Sequence, residues 1–316
     1  VRAAANAGGN LDGSVQVSWE AADFGGLTPA GYTVTATPGQ GQPVSREVAA
    51  DQAALTFEPG ALRLGATYTV QVVARADGGA AGDPATAAET VQPYASPAGV
   101  QLSVTRTNAQ RWRVTATPNW QGRTGYVEIQ GLASGRQQVD AGQSAQWTVD
   151  VPWGGGGNVS VLACIDGGAS CTPARSERVD NPLPRFTGRL APVWGECMLN
   201  PDAGNGVADN DRVFEHAHWR APIDFGAAGS AQYVSDAQYQ WWYSYTPDGV
   251  VDVRSNTFGQ NPSGGHIDGN RFVAPSRRHE DAYQYWITAR FRVRGHDGWI
   301  TSAQTIDVSP DCPGDN

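Results

Sequence analysis

Residues 62–74 read Leu62-Arg63-Leu64-Gly65-Ala66-Thr67-Tyr68-Thr69-Val70-Gln71-Val72-Val73-Ala74. The turn and strand pattern of this stretch is the reference for the rest of the chain. From Tyr68 onward, apolar residues at every second position alternate with Thr69, Gln71 and Val73. A period of two is typical of a β-strand that buries one face. The Leu-Gly pair before Tyr68 supplies a turn. The segment therefore predicts a tight turn followed by a half-buried strand.

A turn followed by a tyrosine that opens a strand resembles the tyrosine corner of fibronectin type III and immunoglobulin-like sandwiches. Residues 1–95 as a whole resemble one fibronectin type III domain. In that resemblance, residues 15–19 and 31–36 match the second and third strands, and Trp19 and Tyr32 pack inward. Residues 54–57 match the strand before the corner, and residues 90–93 close the last strand.

The rest of the chain repeats this pattern with less fidelity. Turn residues recur at roughly 8–12-residue spacing, which indicates an array of β-sandwiches. Short proline-bearing linkers at residues 94–97 and 181–184 predict closely coupled domains. We therefore expect an all-β chain of three tandem immunoglobulin-like or fibronectin type III β-sandwiches. Their predicted bounds are 1–95, 96–182 for a divergent fibronectin- or immunoglobulin-like sandwich, and 183–316 for a larger immunoglobulin-like domain.

The last domain carries two immunoglobulin-like signatures. Residues 239–243, Tyr-Gln-Trp-Trp-Tyr, resemble the tryptophan-bearing third strand of such domains in bacterial surface repeats. Residues 280–287 resemble the Asp-Ala-x-x-Tyr-x-Cys corner, with Ile287 in place of the cysteine. In that family an upstream arginine pairs with the corner aspartate, which implies a pair of Arg271 with Asp281. With 22 Arg and no Lys, the chain resembles actinobacterial or phage surface-repeat proteins.

Charge and hydropathy exclude two classes of partner. The chain has a net charge of −9 and no stripe of basic residues, which argues against nucleic-acid binding. No run of 18 apolar residues is present, so we expect no membrane span. The first residues lack the charged and apolar regions of a signal peptide, so the sequence predicts a mature product or a piece of a longer one.

The four cysteines favour disulfides over a metal or redox motif, because no CxxC occurs. Cys164 and Cys171 flank a turn-forming loop, which predicts a bridge across a hairpin. Cys197 and Cys312 bracket the last domain and form the second predicted bridge. Two disulfides indicate an extracellular setting, whether secreted, cell-surface or virion-associated. Four buried free thiols in a cytosolic protein are the alternative.

An aromatic and basic face is predicted on the last domain. Alternation along residues 239–245 directs Trp242 away from its neighbours, and along residues 285–293 it leaves Trp286, Arg290, Arg292 and Arg294 opposite the apolar side chains. The two strands are neighbours in immunoglobulin-like sheets. These five residues are the candidate binding residues, for a protein partner, for self-assembly or for a sugar. The alternative is that arginine stems, or residues 198–235, simply cover the two tryptophans.

Two metal sites are candidates. Residues 200–211 are dense in oxygen donors, and Asp202, Asn205, Asp209 and Asp211 are the candidate calcium ligands. The same residues also simply form turns. His216 and His218 on one strand would place two imidazoles on one face, as zinc requires, with His296, Glu215 or Asp224 as the third ligand. The alternative is a pair of ordinary surface histidines. No other cofactor is expected.

No Gly-x-Ser-x-Gly elbow, free nucleophilic cysteine or phosphate loop is found, so we expect a protein that is not an enzyme. The sequence predicts a non-catalytic extracellular structural or adhesion array that spaces and presents a C-terminal interaction domain, within a larger surface, appendage or phage-tail protein. The alternative is the carbohydrate-binding accessory region of a secreted polysaccharide-degrading enzyme. A zinc enzyme at His216 and His218 is the other competing class.

Overall fold

The structure is a computed structural model, described here for residues 1–165, 168, 170–199, 212–245, 254–256, 258, 264–280 and 283–310. It is almost entirely β-structure, and its six sheets are ordered as three sandwiches in tandem. The predicted fold class is confirmed. Among the described residues, no helix has the length and apolar character that a membrane span requires.

The first sandwich opposes a three-stranded and a four-stranded sheet. Its strands are β1 (Arg2–Ala5), β2 (Val15–Ser18), β3 (Pro29–Pro38), β4 (Val44–Val48), β5 (Ala54–Phe57), β6 (Tyr68–Ala76) and β7 (Ala85–Thr86). The sheet orders are β1-β2-β5 and β4-β3-β6-β7. The core between the sheets contains Trp19 and Tyr32, whose rings are 5.3 Å apart, together with Phe57 and Tyr68. Both predicted inward side chains, Trp19 and Tyr32, are therefore buried.

The tyrosine corner is present in this sandwich. The backbone N–H of Arg63 donates a 2.8 Å hydrogen bond to the Tyr68 hydroxyl. Leu62 and Tyr68 are both buried, and Gly65 adopts the left-handed backbone (φ 78°) that the turn requires. The last strand begins earlier than predicted, at β7, which pairs with β6. The predicted residues 90–93 return to β6 at Val91, whose N–H donates to the Tyr68 carbonyl over 3.0 Å and whose carbonyl accepts from the Tyr68 N–H over 2.9 Å.

The middle sandwich is built from longer strands. They are β8 (Ala95–Asn108), β9 (Arg111–Gln121), β10 (Gly125–Gly131), β11 (Gly135–Val139), β12 (Ala145–Asp150), β13 (Gly155–Ile165) and β14 (Arg175–Asn181). The sheet orders are β12-β9-β8 and β11-β10-β13-β14. The predicted bridge between Cys164 and Cys171 is present and closes the loop after β13. Asn158, at the position of the corner tyrosine, is exposed.

The last sandwich is the largest. Its elements are β15 (Arg185–Phe186), β16 (Ala191–Val193), β17 (Cys197–Leu199), β18 (Arg212–Asp224), a short 3-10 helix (Ser230–Tyr233), β19 (Val234–Tyr245), β20 (Arg254–Asn256), β21 (His266–Asp268), β22 (Arg271–Val273), β23 (Arg277–Glu280), β24 (Tyr283–Val293), β25 (Ile300–Thr301) and β26 (Thr305–Val308). The long strand β18 pairs with β15, β16, β17, β22 and β23. The opposing sheet has the order β20-β19-β24-β25, with β26 also paired to β24.

An aromatic core joins these two sheets. Trp219 of β18 and Tyr285 of β24 are fully buried, with ring centroids 5.6 Å apart. Alternate residues of β24 (Tyr285, Ile287, Ala289, Phe291 and Val293) are 0–1% exposed, as the period of two predicts. Cys197 on β17 is disulfide-bonded, and its expected partner Cys312 lies outside the described residues. Asp281, the expected partner of the exposed Arg271, also lies outside them.

The chain divides into two compact units. One comprises Val1–Thr105, Arg113–Val149 and Asn158–Arg178, and the other comprises Arg106–Trp112, Asp150–Gly157 and Val179–Asn316. The division passes through the strands of the middle sandwich rather than through either proline-bearing linker. The three-domain boundaries 1–95, 96–182 and 183–316 therefore stay a prediction.

Candidate interaction face and the Arg106 joint

Two tryptophans meet on the side of the β19–β24 pair that faces away from the core. Trp242 lies directly opposite Trp286 in the antiparallel register. Their rings are nearly parallel, with an interplanar angle of 7° and centroids 6.1 Å apart. Trp241 and Tyr243 on either side of Trp242 contribute to the core instead. Alternation along both strands thus places an aromatic pair on the outer surface of the sheet.

The edge strand next to β24 extends this surface with apolar side chains. Ile306 of β26 lies opposite Trp286, and Val308 lies opposite Gln284. Ile306 is 52% exposed and Val308 is 51% exposed. The sequence did not predict these two residues, because a four-residue strand is too short to show a clear alternation of apolar and polar residues.

Two arginines and a third tryptophan continue the surface along β24. The guanidinium carbon of Arg290 lies 4.0 Å from the ring centroids of Phe258 and Trp299, and that of Arg292 lies 4.0 Å from Trp299. Arg290 Nη2 also donates to Gln238 Oε1 over 2.7 Å. These contacts hold both side chains against the sheet as cations over aromatic rings.

The electrostatics of these arginines suit a contact with an anionic group. Burial, with the nearby positive charge of Arg292, lowers the pKa of Arg290, whereas Asp236 raises it. A guanidinium stays protonated in proteins, so the charge remains. Within the described part of the chain, neither arginine forms an ion pair with a carboxylate. We name Trp242, Trp286, Arg290, Arg292, Trp299, Ile306 and Val308 the tryptophan–arginine face.

Arg294 is the predicted residue that the structure separates from this face. It follows the end of β24, where its backbone N–H donates to the carbonyl of Tyr233 over 2.8 Å. Its own carbonyl accepts a 2.8 Å hydrogen bond from Trp153 Nε1. It also lines a groove with Arg111 and Asp150, away from the tryptophan pair. The strand ends one residue before Arg294, so the alternation that predicted its direction no longer applies.

The predicted zinc pair does not form a metal centre in the described residues. His216 has a left-handed backbone (φ 59°) at an irregularity in the β18–β23 ladder, which interrupts the alternation assumed for it. Glu215 lies 2.6 Å from Arg278 Nε, and His218 Nδ1 lies 3.1 Å from the carbonyl of His216. Across the described ranges, no three His, Cys, Asp or Glu side chains lie close enough to hold a metal. The calcium candidates Asp202, Asn205, Asp209 and Asp211 lie outside the described residues.

A second arrangement, which the sequence analysis missed, surrounds Arg106. Its guanidinium carbon lies 5.1 Å from the Trp112 ring, 5.0 Å from Trp153 and 4.7 Å from Tyr233. Trp112 belongs to β9 of the middle sandwich, whereas Tyr233 ends the 3-10 helix of the last one. One cation therefore connects aromatic rings from two successive sandwiches, all within the second compact unit.

Hydrogen bonds complete this cage. Arg106 donates to Ser230 Oγ over 2.6 Å, to Asn181 Oδ1 over 2.9 Å and to the carbonyl of Ala109 over 2.7 Å. Asn181 and Ser230 are both fully buried. The amide nitrogen of Asn181 donates in turn to the carbonyls of Ala109 and Val151 over 3.0 and 2.9 Å. Burial lowers the pKa of Arg106, and Tyr233 opposes the shift. We name Arg106, Trp112, Trp153, Asn181, Ser230 and Tyr233 the Arg106 joint.

Comparisons with known proteins give matches only among solved structures. No family model and no curated protein matches the chain. A two-domain fibronectin type III segment of chicken tenascin is similar, with a TM-score of 0.34 and 16% identity over 54% of this chain and 94% of that one. The FN1–FN3 domains of chicken CNTN1 are similar with a TM-score of 0.36 and 10% identity over 95% of both chains. Because both TM-scores lie below 0.5, the fold assignment rests on the strand orders and cores described above.

Proposed function

We propose that this chain is a non-catalytic, extracellular structural array that spaces three β-sandwich modules and presents the last one for interaction. In this proposal the array belongs to a larger surface, appendage or phage-tail protein. The Arg106 joint is the observation that carries the proposal. A linker that only tethers two modules has no need of a buried asparagine, a caged guanidinium and three aromatic rings at their junction. Such a junction suits a protein that holds its modules in a fixed relation.

The chemistry of the last module supports binding rather than catalysis. The tryptophan–arginine face carries indole, aliphatic and guanidinium groups, which stack on a partner and pair with its anions. A guanidinium does not titrate near neutral pH, so it does not exchange protons as a general acid or base must. The Cys164–Cys171 bridge supports an oxidising, extracellular setting.

Hydrogen–deuterium exchange on the full chain tests the spacing role. The reporting amides are those of Gly154, bonded to the carbonyl of Asn181, and Arg294, bonded to that of Tyr233. We expect both amides to be protected in the unmodified protein and to exchange at least about tenfold faster in Arg106→Ala, which corresponds to about 1.4 kcal/mol. Amides of the buried strand β6 serve as the internal control and should keep their rates. Fast exchange at both joint amides in the unmodified protein would contradict a fixed joint.

Carbohydrate binding is the second candidate, and the parallel Trp242–Trp286 pair is the observation that favours it. Aromatic rings on a sheet surface offer apolar faces to a sugar. A glycan array with the unmodified protein and Trp242→Ala separates the candidates. Trp147→Ala, in the middle sandwich, is the matched control. Binding that is lost with Trp242 and retained with the control supports the sugar, whereas absence of any bound glycan removes this candidate.

A further inference from the structure

The end of the first sandwich remote from Tyr94 collects negative charge. Three loops meet there, because β2 ends where β5 begins (Ser18 opposite Ala54) and β3 begins where β6 ends (Pro29 opposite Ala76). The loops are tied by backbone hydrogen bonds of 3.0 Å from Trp19 to Ala53 and 2.9 Å from Asp77 to Thr28. They carry the carboxylates Glu20, Asp23, Asp51, Asp77 and Asp83. In all, residues 1–95 contain four Arg against nine Asp and Glu, a net charge of −5.

A groove opens at this end of the sandwich. It has a volume of 640 Å³ and is lined by Trp19, Tyr32, Val72 and Ala74, with Glu20 and Asp83 among its polar residues. Trp19 is 9% exposed, and its Nε1–H has no acceptor among the described residues. Arg2 also lines the groove, and the described residues place no carboxylate in an ion pair with it. Trp19 and Tyr32 belong to the core, so the exposed carboxylates of Glu20 and Asp83 are the groups of this groove that can pair with a guanidinium.

The tryptophan–arginine face has the complementary chemistry. It presents Arg290 and Arg292, with Asp236 opposite Arg292 as the nearby carboxylate and no ion pair to either arginine in the described residues. Ile306 and Val308 on the same side of the sheet are exposed. The acidic loops in turn carry an exposed apolar residue, Leu27, which is 55% exposed. The two surfaces thus carry groups of opposite charge, and each also carries exposed apolar side chains. The basic tryptophan–arginine face favours an acidic partner surface and repels a basic one. A chain of net charge −9 supplies such an acidic surface itself.

We propose that the tryptophan–arginine face binds the acidic loop end of the first sandwich of a second copy of this chain. The proposal rests on the proposed function, in which this face is the presented surface, and it names the partner. Two different surfaces meet, so the contact is heterologous and each copy keeps one free end. Repetition of the contact joins chains head to tail, in a closed ring or an open filament according to the rotation between successive copies. Exposed charges dominate the contact, so it is weakened by salt.

Sedimentation velocity over a concentration series, at about 50 mM and about 500 mM salt, tests this proposal. We expect the average mass to rise with concentration above the single-chain 33.4 kDa at low salt and to return toward it at high salt. Arg290→Glu/Arg292→Glu and, separately, Glu20→Arg/Asp83→Arg should each sediment as single chains. Their equimolar mixture should associate again, because opposite charges then meet at both kinds of contact.

Two further variants keep the result interpretable. Arg220→Glu/Arg271→Glu makes the same change in net charge on exposed positions of the opposing sheet and should associate as the unmodified protein does. Arg290→Gln/Arg292→Gln removes the charge without reversing it and should also weaken association. Circular dichroism verifies that each variant folds.

Two outcomes overturn the proposal. One is an unmodified protein at the single-chain mass at every concentration and both salt levels. The other is association that survives Glu20→Arg/Asp83→Arg, which would indicate a contact that does not use the acidic loops. Neither outcome affects the protection of the Gly154 and Arg294 amides from hydrogen exchange at the Arg106 joint. The spacing role is therefore tested separately, by the exchange experiment.

Discussion

The tyrosine corner and the Arg106 joint both hold separate segments of the chain together, but they do so across very different separations in sequence. In each, a side chain with an aromatic or planar group hydrogen-bonds to the backbone or to a buried partner and fixes the local path of the chain. Tyr68 bonds to a backbone group five residues away. Arg106 bonds to side chains 75 and 124 residues away. The first device stabilises one sandwich, and the second holds together separate segments of the second compact unit. Predictions that break the two devices separately show whether they are independent.

Removal of the corner tyrosine should have the largest effect. Tyr68 is 4% exposed and packs in the core of the first sandwich. Tyr68→Ala should lower the free energy of unfolding of that sandwich by about 4 kcal/mol, because it leaves a cavity and removes the corner bond. Denaturant titration followed by hydrogen exchange measures the loss. Exchange at Gly154 and Arg294 should not change, since both amides belong to the other compact unit.

Loss of the caged guanidinium should come next. Arg106→Ala should destabilise the last sandwich by about 3 kcal/mol, because three ring contacts and several charged hydrogen bonds disappear. Arg106→Lys retains the charge but not the planar fork, so it should recover less than half of that loss. Thermal and denaturant unfolding of both variants measures the difference. Full recovery by lysine would mean that charge alone holds the joint.

Removal of the hairpin disulfide should cost slightly less. Cys164→Ala/Cys171→Ala opens a loop with a sequence separation of 7. A short closed loop constrains the unfolded chain modestly, so we expect a loss of about 2.5 kcal/mol in the middle sandwich. The unfolding midpoint in denaturant should fall while the corner and the joint keep their exchange protection. An unchanged midpoint would show that the bridge forms without stabilising the fold.

The smallest effect isolates the corner hydrogen bond. Tyr68→Phe keeps the ring in the core and removes only the hydroxyl that accepts the N–H of Arg63. The unpaired N–H should cost about 1.5 kcal/mol. Tyr233→Phe, whose ring lies at the Arg106 joint, is the matched control and should leave the first sandwich unchanged. A Tyr68→Phe variant as stable as the unmodified protein would reduce the corner to a packing motif.

The sequence predicted those parts of the fold that depend on residues close together in the chain. The alternation after Tyr68 and the Leu-Gly turn predicted β6 and the corner, and alternation along β24 predicted its buried face. The prediction for residues 90–93 was incomplete, because the last strand already pairs with β6 at Ala85–Thr86 and returns to it at a bridge from Val91 to Tyr68. Alternation indicates which residues suit a strand, but partner availability decides where the strand forms.

The sequence predicted fewer residues of the candidate site. Strand period and the expected pairing of β19 with β24 were enough to put Trp242 beside Trp286. They did not reveal Trp299, Phe258 or Ile306, which reach the face from other elements. Nor did they indicate the Arg106 joint, whose residues come from the middle sandwich, the linker and the 3-10 helix. Arg106 has no sequence neighbour that marks it among 22 arginines.

The central claim is that the Arg106 joint holds residues 106–112 and 150–157 against the last sandwich within the second compact unit, and a distance distribution measures this most directly. Spin labels at Asp150→Cys and Thr301→Cys, both exposed and both in the second compact unit, would report across the joint by pulsed electron resonance. We predict a single narrow distribution that broadens when Arg106→Ala is added to the labelled chain. A broad distribution in the labelled chain with Arg106 intact, or a narrow one that survives its removal, would contradict the claim.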